Sequence, residues 1–391
     1  VSVTKQDMTK RKGLQKTSFP SVNIPLDVDT IPVECFYNSK LRTLTIPFSV
    51  KEILDEAFSC SNYLYDVVLP NSLKGLRTSS FKSCDMLSDV YCLSPIPPLA
   101  DINTFEEGPA IRYLHVPKGS RDDYSKAQGW NVFNHIIDDI DSSNVLYSVL
   151  SLRSEGKYVE ALRYIDENIN KPSITPFEKA QIAIQKIMLY YQMGKENDIY
   201  TSALSAVTNT DILTQTENPQ LLDQLLSYNL ISVSVLSEND TLSSKGLSSL
   251  ADVYEIAIKN KRWEVIETAN NISHKFLRQK NNSESISRNV FDDIKSNCRI
   301  SLMSLIADSL NKEDKFAKDD LTDFKKTAIS VLGLSLNKIS NELKALRSDG
   351  DNSVDETKLK KYFEAIGVCA YVFESIDRSD MKKDLKTETD S

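Results

Sequence analysis

The sequence predicts an α+β protein, in which a short β-rich solenoid is followed by an array of α-helical hairpins. The first observation is a repeat: three aliphatic-proline pairs end at Pro25, Pro47 and Pro70, which lie 22 and 23 residues apart. The second is a change in composition and periodicity after Asp141, where only three prolines remain and apolar residues recur at helical spacing. At 391 residues the chain is long enough for two or three separate cores.

Each repeat carries the same apolar positions. An aliphatic residue lies three positions after the proline, another lies six after it, and a phenylalanine follows at eleven: Phe36, Phe58 and Phe81. A unit this short cannot bury its own apolar face, so successive units are expected to stack as coils around one shared core. The stretches LRTLTI and LYDVVL alternate like short strands, each of which ends at a proline.

The stretch LTIPFSVKEILDEAFSC resembles the BspA-type leucine-rich repeats of bacterial surface proteins. That family opens its repeat with Ile-Pro-x-Ser-Val and closes it with Ala-Phe-x-x-Cys; Cys84 follows its Phe at the family's spacing, whereas Cys60 lies one position early. The segment 94–136 is similar to the terminal phrase of this family. Its sequence is SPIPPLADINTFEEGPAIRYLHVPKGSRDDYSKAQGWNVFNHI. The resemblance covers residues 20–140, and it implies about four coils with a C-terminal cap.

Helical hairpins are predicted from 143–172 and from 175–207, with their turns at Gly156 and Gly194. The second hairpin starts at Thr175, in a sequence typical of a capping box. The first hairpin resembles a tetratricopeptide repeat, because it has that family's turn Gly, Tyr, Ala and large apolar residue. They are Gly156, Tyr158, Ala161 and Ile165. The second hairpin departs from the family at one position, where a tyrosine replaces the small alanine.

The predicted organisation has five parts. They are a mobile basic arm (1–19), the leucine-rich-repeat domain with its cap (20–140), tetratricopeptide-like hairpins (141–279), a further helical bundle or solenoid (280–379) and a disordered tail (380–391). The arm is predicted from its basic residues, Lys5, Lys10, Arg11, Lys12 and Lys16, which face a single acidic residue.

Composition excludes some functions. The net charge of −8 and a pI near 5.2 argue against a nucleic-acid binder, which needs a basic face. The sequence contains no run of eighteen apolar residues, so it predicts no transmembrane segment.

The chain starts at Val1 rather than at Met, which suggests that an upstream segment, such as a secretion signal, was removed. The six cysteines form no CxxC pair, and we expect buried free thiols rather than a metal site.

No catalytic motif is present. The three histidines lie far apart in the sequence, and neither a metalloprotease, a serine-hydrolase nor a nucleotide-binding pattern occurs. We therefore expect no catalytic residues, no metal and no cofactor. The prediction is a non-enzymatic protein that binds a protein or a glycan. Two alternatives stay open: an intracellular scaffold that assembles a complex through the helical half, and a glycan hydrolase whose site has no recognisable motif.

The candidate binding surface is the outer face of the predicted sheet. Residues that alternate with the buried positions are expected to form columns on one face. Its predicted partner-binding residues are Arg42, Tyr65, Asp66, Asp89, Tyr91, Arg112, Tyr113 and His115. Tyr and Arg are the residue types that most often dominate interfaces. The family resemblance implies a secreted or cell-surface location and a partner on a host or neighbouring cell; a native start without a signal would imply the cytoplasm instead.

Overall fold

The computed structural model describes residues 1–9, 14–109, 112–207, 210–239 and 242–260, together with positions 262, 264–266, 268, 269 and 272. The chain divides into two compact units, of which the first is Val1–Ile231 and the second begins at Ser232. Predictions for later helices, for the 380–391 tail and for Cys298, Cys369 and His274 lie outside the described residues.

The first part of the chain is a parallel β-solenoid. Its strands are β1 (Thr30–Ile31), β2 (Thr43–Thr45), β3 (Glu52–Ile53), β4 (Asp66–Leu69), β5 (Gly75–Leu76), β6 (Asp89–Cys92), β7 (Leu99–Ala100), β8 (Tyr113–Pro117) and β9 (His135–Ile140). The larger sheet has the order β2-β4-β6-β8-β9, and the smaller sheet has the order β1-β3-β5-β7. All strand pairs are parallel, as expected when each coil of a solenoid stacks on the one before it.

A column of phenylalanines forms the centre of the solenoid core. Phe36, Phe58, Phe81 and Phe105 stack with ring centroids 5.2, 5.1 and 5.5 Å apart. The first three rings are at most 1% exposed. The spacing is close to the distance between neighbouring strands, so each coil contributes one ring to the column. The predicted stack of coils around a shared core is confirmed.

The solenoid ends in a cap. Helix α2 (Arg121–Lys126) carries Tyr124, whose hydroxyl donates to the carbonyl of Ser94 at 2.8 Å. Trp130 lies against the Phe105 ring and donates from Nε1 to the carbonyl of Pro98 at 2.7 Å. Gly129 has φ +77°, and a Cβ there would lie 2.5 Å from a backbone oxygen, so this turn requires glycine.

The prediction of a mobile arm over residues 1–19 is wrong for its described residues, 1–9 and 14–19. Ser2 pairs in parallel with Asn23, and α1 (Lys5–Thr9) follows. Val3, Met8 and Leu14 are buried in the solenoid core. The lysines hide this pattern in the sequence, because the apolar side chains between them are few and widely spaced.

Helices follow β9. They are α3 (Val145–Ser154), α4 (Tyr158–Asn168), α5 (Pro176–Met193), α6 (Glu196–Ala206), α7 (Thr210–Gln215), α8 (Pro219–Ser237) and α9 (Ser243–Lys259). The predicted turn glycines have positive φ, +73° at Gly156 and +67° at Gly194. The capping box of Thr175 and Glu178 is present. The α+β class is thus confirmed, while the remaining domain boundaries and the tetratricopeptide likeness stay predictions. None of the helices in the described part of the chain has the length and apolarity to span a bilayer.

Candidate functional site

The candidate surface is the outward face of the larger sheet, called here the polar sheet face. It consists of Thr43, Thr45, Asp66, Val68, Asp89, Tyr91, Tyr113, His115 and, from β9, Asp139. The strand register aligns Thr43 with Asp66, Asp66 with Asp89 and Asp89 with Tyr113. It likewise aligns Val68 with Tyr91 and Tyr91 with His115. The register therefore forms two columns of the kind that strand alternation predicts.

The prediction that this face is open to solvent is wrong. Five predicted site residues on this face are at most 2% exposed: Asp66, Asp89, Tyr91, Tyr113 and His115. Tyr65, which precedes β4 and is not part of this face, is 1% exposed. Helices α3 and α5 of the same chain lie on the face, and their side chains bond to it. The alternation of residues along a strand shows which side chains point away from the solenoid core, but it does not show what covers them. A role for these residues in binding another protein stays a prediction.

The remaining two predicted residues, Arg42 and Arg112, are half-buried. Arg42 donates to the carbonyl of Lys40 at 3.0 Å and lies 4.3 Å from the ring centre of Tyr63. Arg112 donates to the carbonyls of Phe105 at 2.6 Å and Val132 at 3.3 Å. Burial lowers the pKa of the Arg112 guanidinium. Arg112 thus ties the last coil to the cap.

Arg153 of α3 is the principal contact between the helices and the sheet. Its Nη1 donates to Asp66 Oδ2 at 2.8 Å and also to the side-chain oxygen of Gln185 on α5. Its Nη2 donates to Thr43 Oγ1 at 2.9 Å and to Thr45 Oγ1 at 3.1 Å. The side chains of Arg153 and Asp66 are 0% and 1% exposed. A planar guanidinium that donates to several fixed acceptors requires a defined geometry, so this contact is specific in orientation as well as an ion pair.

Arg153 was not among the predicted site residues, although the sequence carries a signal for it. Leu146, Val149 and Leu150 form the apolar stripe of α3, and Arg153 continues that stripe one turn further on. A charged residue on a buried stripe needs a buried partner of opposite charge. The partner, Asp66, lies 87 residues earlier in the sequence, so no local pattern identifies it.

His115 forms a second buried contact of the polar sheet face. Its Nδ1 lies 2.9 Å from Asp139 Oδ2, and its Nε2 lies 3.1 Å from Asp89 Oδ1. A neutral imidazole has only one N–H, and would leave one carboxylate facing a lone pair. His115 is therefore an imidazolium that donates to both carboxylates. Asp139 also accepts from Gln181 of α5 at 2.8 Å, which joins the helix to this cluster.

The protonation of His115 makes a prediction for stability. Burial alone lowers the pKa of His115, but the charges and hydrogen bonds of Asp139 and Asp89 outweigh burial and raise it from 6.5 to about 10. A raised pKa stabilises the fold fully below pH 6.5, and this contribution is lost as the pH rises through about 10. The free energy of unfolding should therefore fall between pH 7 and 10 more steeply in the natural chain than in His115→Gln, measured by urea denaturation. Equal slopes in the two chains would contradict the assignment.

The buried groups are not arranged for catalysis. A general acid or base must reach a substrate, and the side chains of His115 and Asp89 are 0% and 1% exposed. Within the described ranges, no group of three His, Cys, Asp or Glu side chains could hold a metal ion. The four described cysteines are free thiols. Burial raises the pKa of Cys35 to about 12. Burial is also the largest of the causes that raise the pKa of Cys92 to about 11. Both cysteines are therefore unreactive hydrophobic side chains.

Five large apolar side chains of the solenoid are exposed, and they are called here the exposed apolar strip. It consists of Leu26, Phe48, Ile96, Leu99 and Ile102, which are 52, 50, 75, 80 and 61% exposed. Leu26 and Phe48 each follow the proline of their coil, so they occupy equivalent positions. Leu99 lies in β7, in register with Gly75 of β5. The sequence reasoning missed this strip because, after each proline, it considered only the positions expected to be buried.

Comparison with known proteins adds a family match. Residues 10–121 match the model of the BspA type leucine rich repeat region, with six copies. The match starts inside the segment that the sequence predicts to be an arm, and its count exceeds the predicted four coils. No curated protein and no solved structure matches the chain. The N-terminal part of this chain is therefore a BspA-type leucine-rich-repeat solenoid, and a helical region follows it.

Proposed function

We propose that this chain is a non-enzymatic repeat scaffold that binds a protein through the exposed apolar strip, at a bacterial cell surface. The observation that carries the proposal is the exposure of the strip itself. Several large aliphatic side chains of one stretch, Ile96, Leu99 and Ile102, are more than half exposed. Exposed apolar side chains that are grouped on a surface mark interaction sites on soluble proteins.

A protein fits this strip better than a glycan does. Aliphatic side chains bury apolar area against a partner of similar character, whereas glycans present hydroxyl groups that need polar partners. Leucine-rich-repeat families are typically scaffolds without catalytic activity, and repeat arrays offer extended surface rather than an enclosed pocket. The surface location rests on the likeness to the BspA type.

The strip is tested with the double variant Ile96→Ser, Leu99→Ser. Proteins cross-linked to the chain on intact cells are identified by mass spectrometry, and the affinity of each is then measured. We expect the variant to lose at least about tenfold in affinity, because central apolar contacts dominate interfaces. The matched control is Val159→Ser on α4, a single apolar residue that is 68% exposed. Equal affinity of the double variant and the control would contradict the proposal.

A second candidate is an intracellular scaffold. The four described cysteines are all free thiols, and free thiols are typical of a reducing compartment. Labelling of intact cells of the source organism with a biotin reagent that does not cross membranes separates the two candidates. Labelled protein supports the surface location, and label confined to lysed cells supports the intracellular scaffold.

A further inference from the structure

Arg153 of α3 reduces the excess of negative charge on the polar sheet face. The face carries three carboxylates, those of Asp66, Asp89 and Asp139, and one cation, His115. Arg153 supplies the second cation from the helix. Without α3 the face would be a surface of carboxylates, threonine hydroxyls and tyrosine rings. Such a surface favours a guanidinium, which bonds to carboxylates as a fork and stacks on aromatic rings.

The contact between the face and the helices is a polar interface between two cores. The solenoid has its own core around the phenylalanine column. Helices α3, α4 and α5 share another, centred on Val149, Ile165 and Ile182. Between the two lies a small apolar cluster, made of Val68, Tyr91, Ile140, Leu146 and Leu150, with the Arg153 and His115 contacts beside it. The solenoid and these helices belong to one compact unit, Val1–Ile231.

Several buried polar atoms in this contact have no hydrogen-bond partner among the described residues. They are Tyr91 Oη, Arg153 Nε, Gln185 Nε2, Gln192 Oε1 and Tyr228 Oη. Each unpaired buried atom favours a state in which water can reach it. The residues of the closed contact therefore leave part of their own hydrogen-bonding capacity unfilled.

We propose that the polar sheet face is a second, normally closed binding surface, whose open form binds an arginine-bearing helix of another protein. In the closed form α3 occupies the surface with Arg153. The connection between β9 and α3 is only four residues long, 141–144, which keeps the chain's own helix at a high effective concentration. An outside helix therefore competes only when the internal contact is weakened. The exposed apolar strip is not part of this surface. An experiment that contradicts one of the two proposals therefore leaves the other untouched.

Opening is tested first in the natural full chain, by nitration of tyrosines with tetranitromethane and peptide mass spectrometry. Tyr91 on the polar sheet face and Tyr124 in the solenoid cap are both 0% exposed, so they form a matched pair. If the face opens while the solenoid stays folded, Tyr91 should react at least about tenfold faster than Tyr124. Equal rates would mean that the face opens only when the solenoid unfolds, and would overturn the proposal.

The occupant is tested in the full chain with Arg153→Met, which removes the internal guanidinium. The probe is a synthetic peptide of residues 143–195, and the control is the same peptide with Arg153→Lys. The Arg peptide should slow nitration of Tyr91 in this variant at least about fivefold, and the Lys peptide should slow it less. Equal protection by both peptides, or none by either, would overturn the proposed specificity. If circular dichroism shows that the variant is unfolded, the peptides are compared on the milder variant Gln185→Ala by the same criterion.

Discussion

Replacing Arg153 by Met is expected to lower the free energy of unfolding by about 3–5 kcal/mol, because the change leaves Asp66 as a buried carboxylate without its cation. It also removes the donors to Thr43 and Thr45. Urea denaturation of the full chain, followed by circular dichroism, measures the change. Buried charge pairs often add little net stability over an apolar pair, but breaking one by removing a single partner is costly.

A matched control for this variant is Arg163→Met on α4. Arg163 is 72% exposed, and its nearest carboxylate oxygen, on Glu167, is 4.0 Å away. Exposed ion pairs of this kind contribute little, so the control should unfold at the same urea concentration as the natural chain. If Arg153→Met behaves like the control, the helices do not hold the polar sheet face through this residue.

Replacing Phe58 by Ala is expected to lower the free energy of unfolding by about 3–5 kcal/mol, through lost burial and the cavity that the ring leaves. Phe58 is 0% exposed and stacks on both Phe36 and Phe81, with centroids 5.2 and 5.1 Å away. Neighbouring coils are close-packed, so the cavity cannot collapse without moving two rings. The same urea experiment measures the effect.

Phe48 provides the control for this position. It lies in the same coil but is 50% exposed, so Phe48→Ala should cost less than about 1 kcal/mol. The contrast between the two phenylalanines tests the register of the repeat, since the repeat buries the phenylalanine that lies eleven positions after the proline and not the one directly after it. Similar losses for both variants would mean that the repeat has been assigned to the wrong positions.

The solenoid core could be predicted because its signal is local and repeated. The same residue type returns every 22 or 23 positions, and stacking is the physical arrangement that buries all of these positions together. Phe36, Phe58 and Phe81 are therefore identified from the sequence alone. The buried N-terminal residues were not predicted, because Val3 and Met8 lie in a segment that carries four lysines and an arginine among few apolar residues.

The covering of the polar sheet face could not be predicted in the same way. Strand alternation identifies Asp66 and Tyr91 as facing away from the core, and such residues are exposed in most sheets that have one solvated face. The contact that buries them joins Asp66 to Arg153 across 87 residues. The sequence shows only half of that contact, a charged residue on the apolar stripe of α3. A surface that looks like a binding site is thus occupied by the chain itself.

The most direct test of this account is a double-mutant cycle between Asp66 and Arg153 in the full chain. The free energy of unfolding is measured for the natural chain, for Asp66→Asn, for Arg153→Met and for the double variant. Because the two side chains bond directly at 2.8 Å, we expect a coupling energy of about 2 kcal/mol or more, with the double variant more stable than the sum of the single losses indicates. Losses that add to within about 0.5 kcal/mol would mean that the two residues do not interact, and that the helices do not cover the sheet.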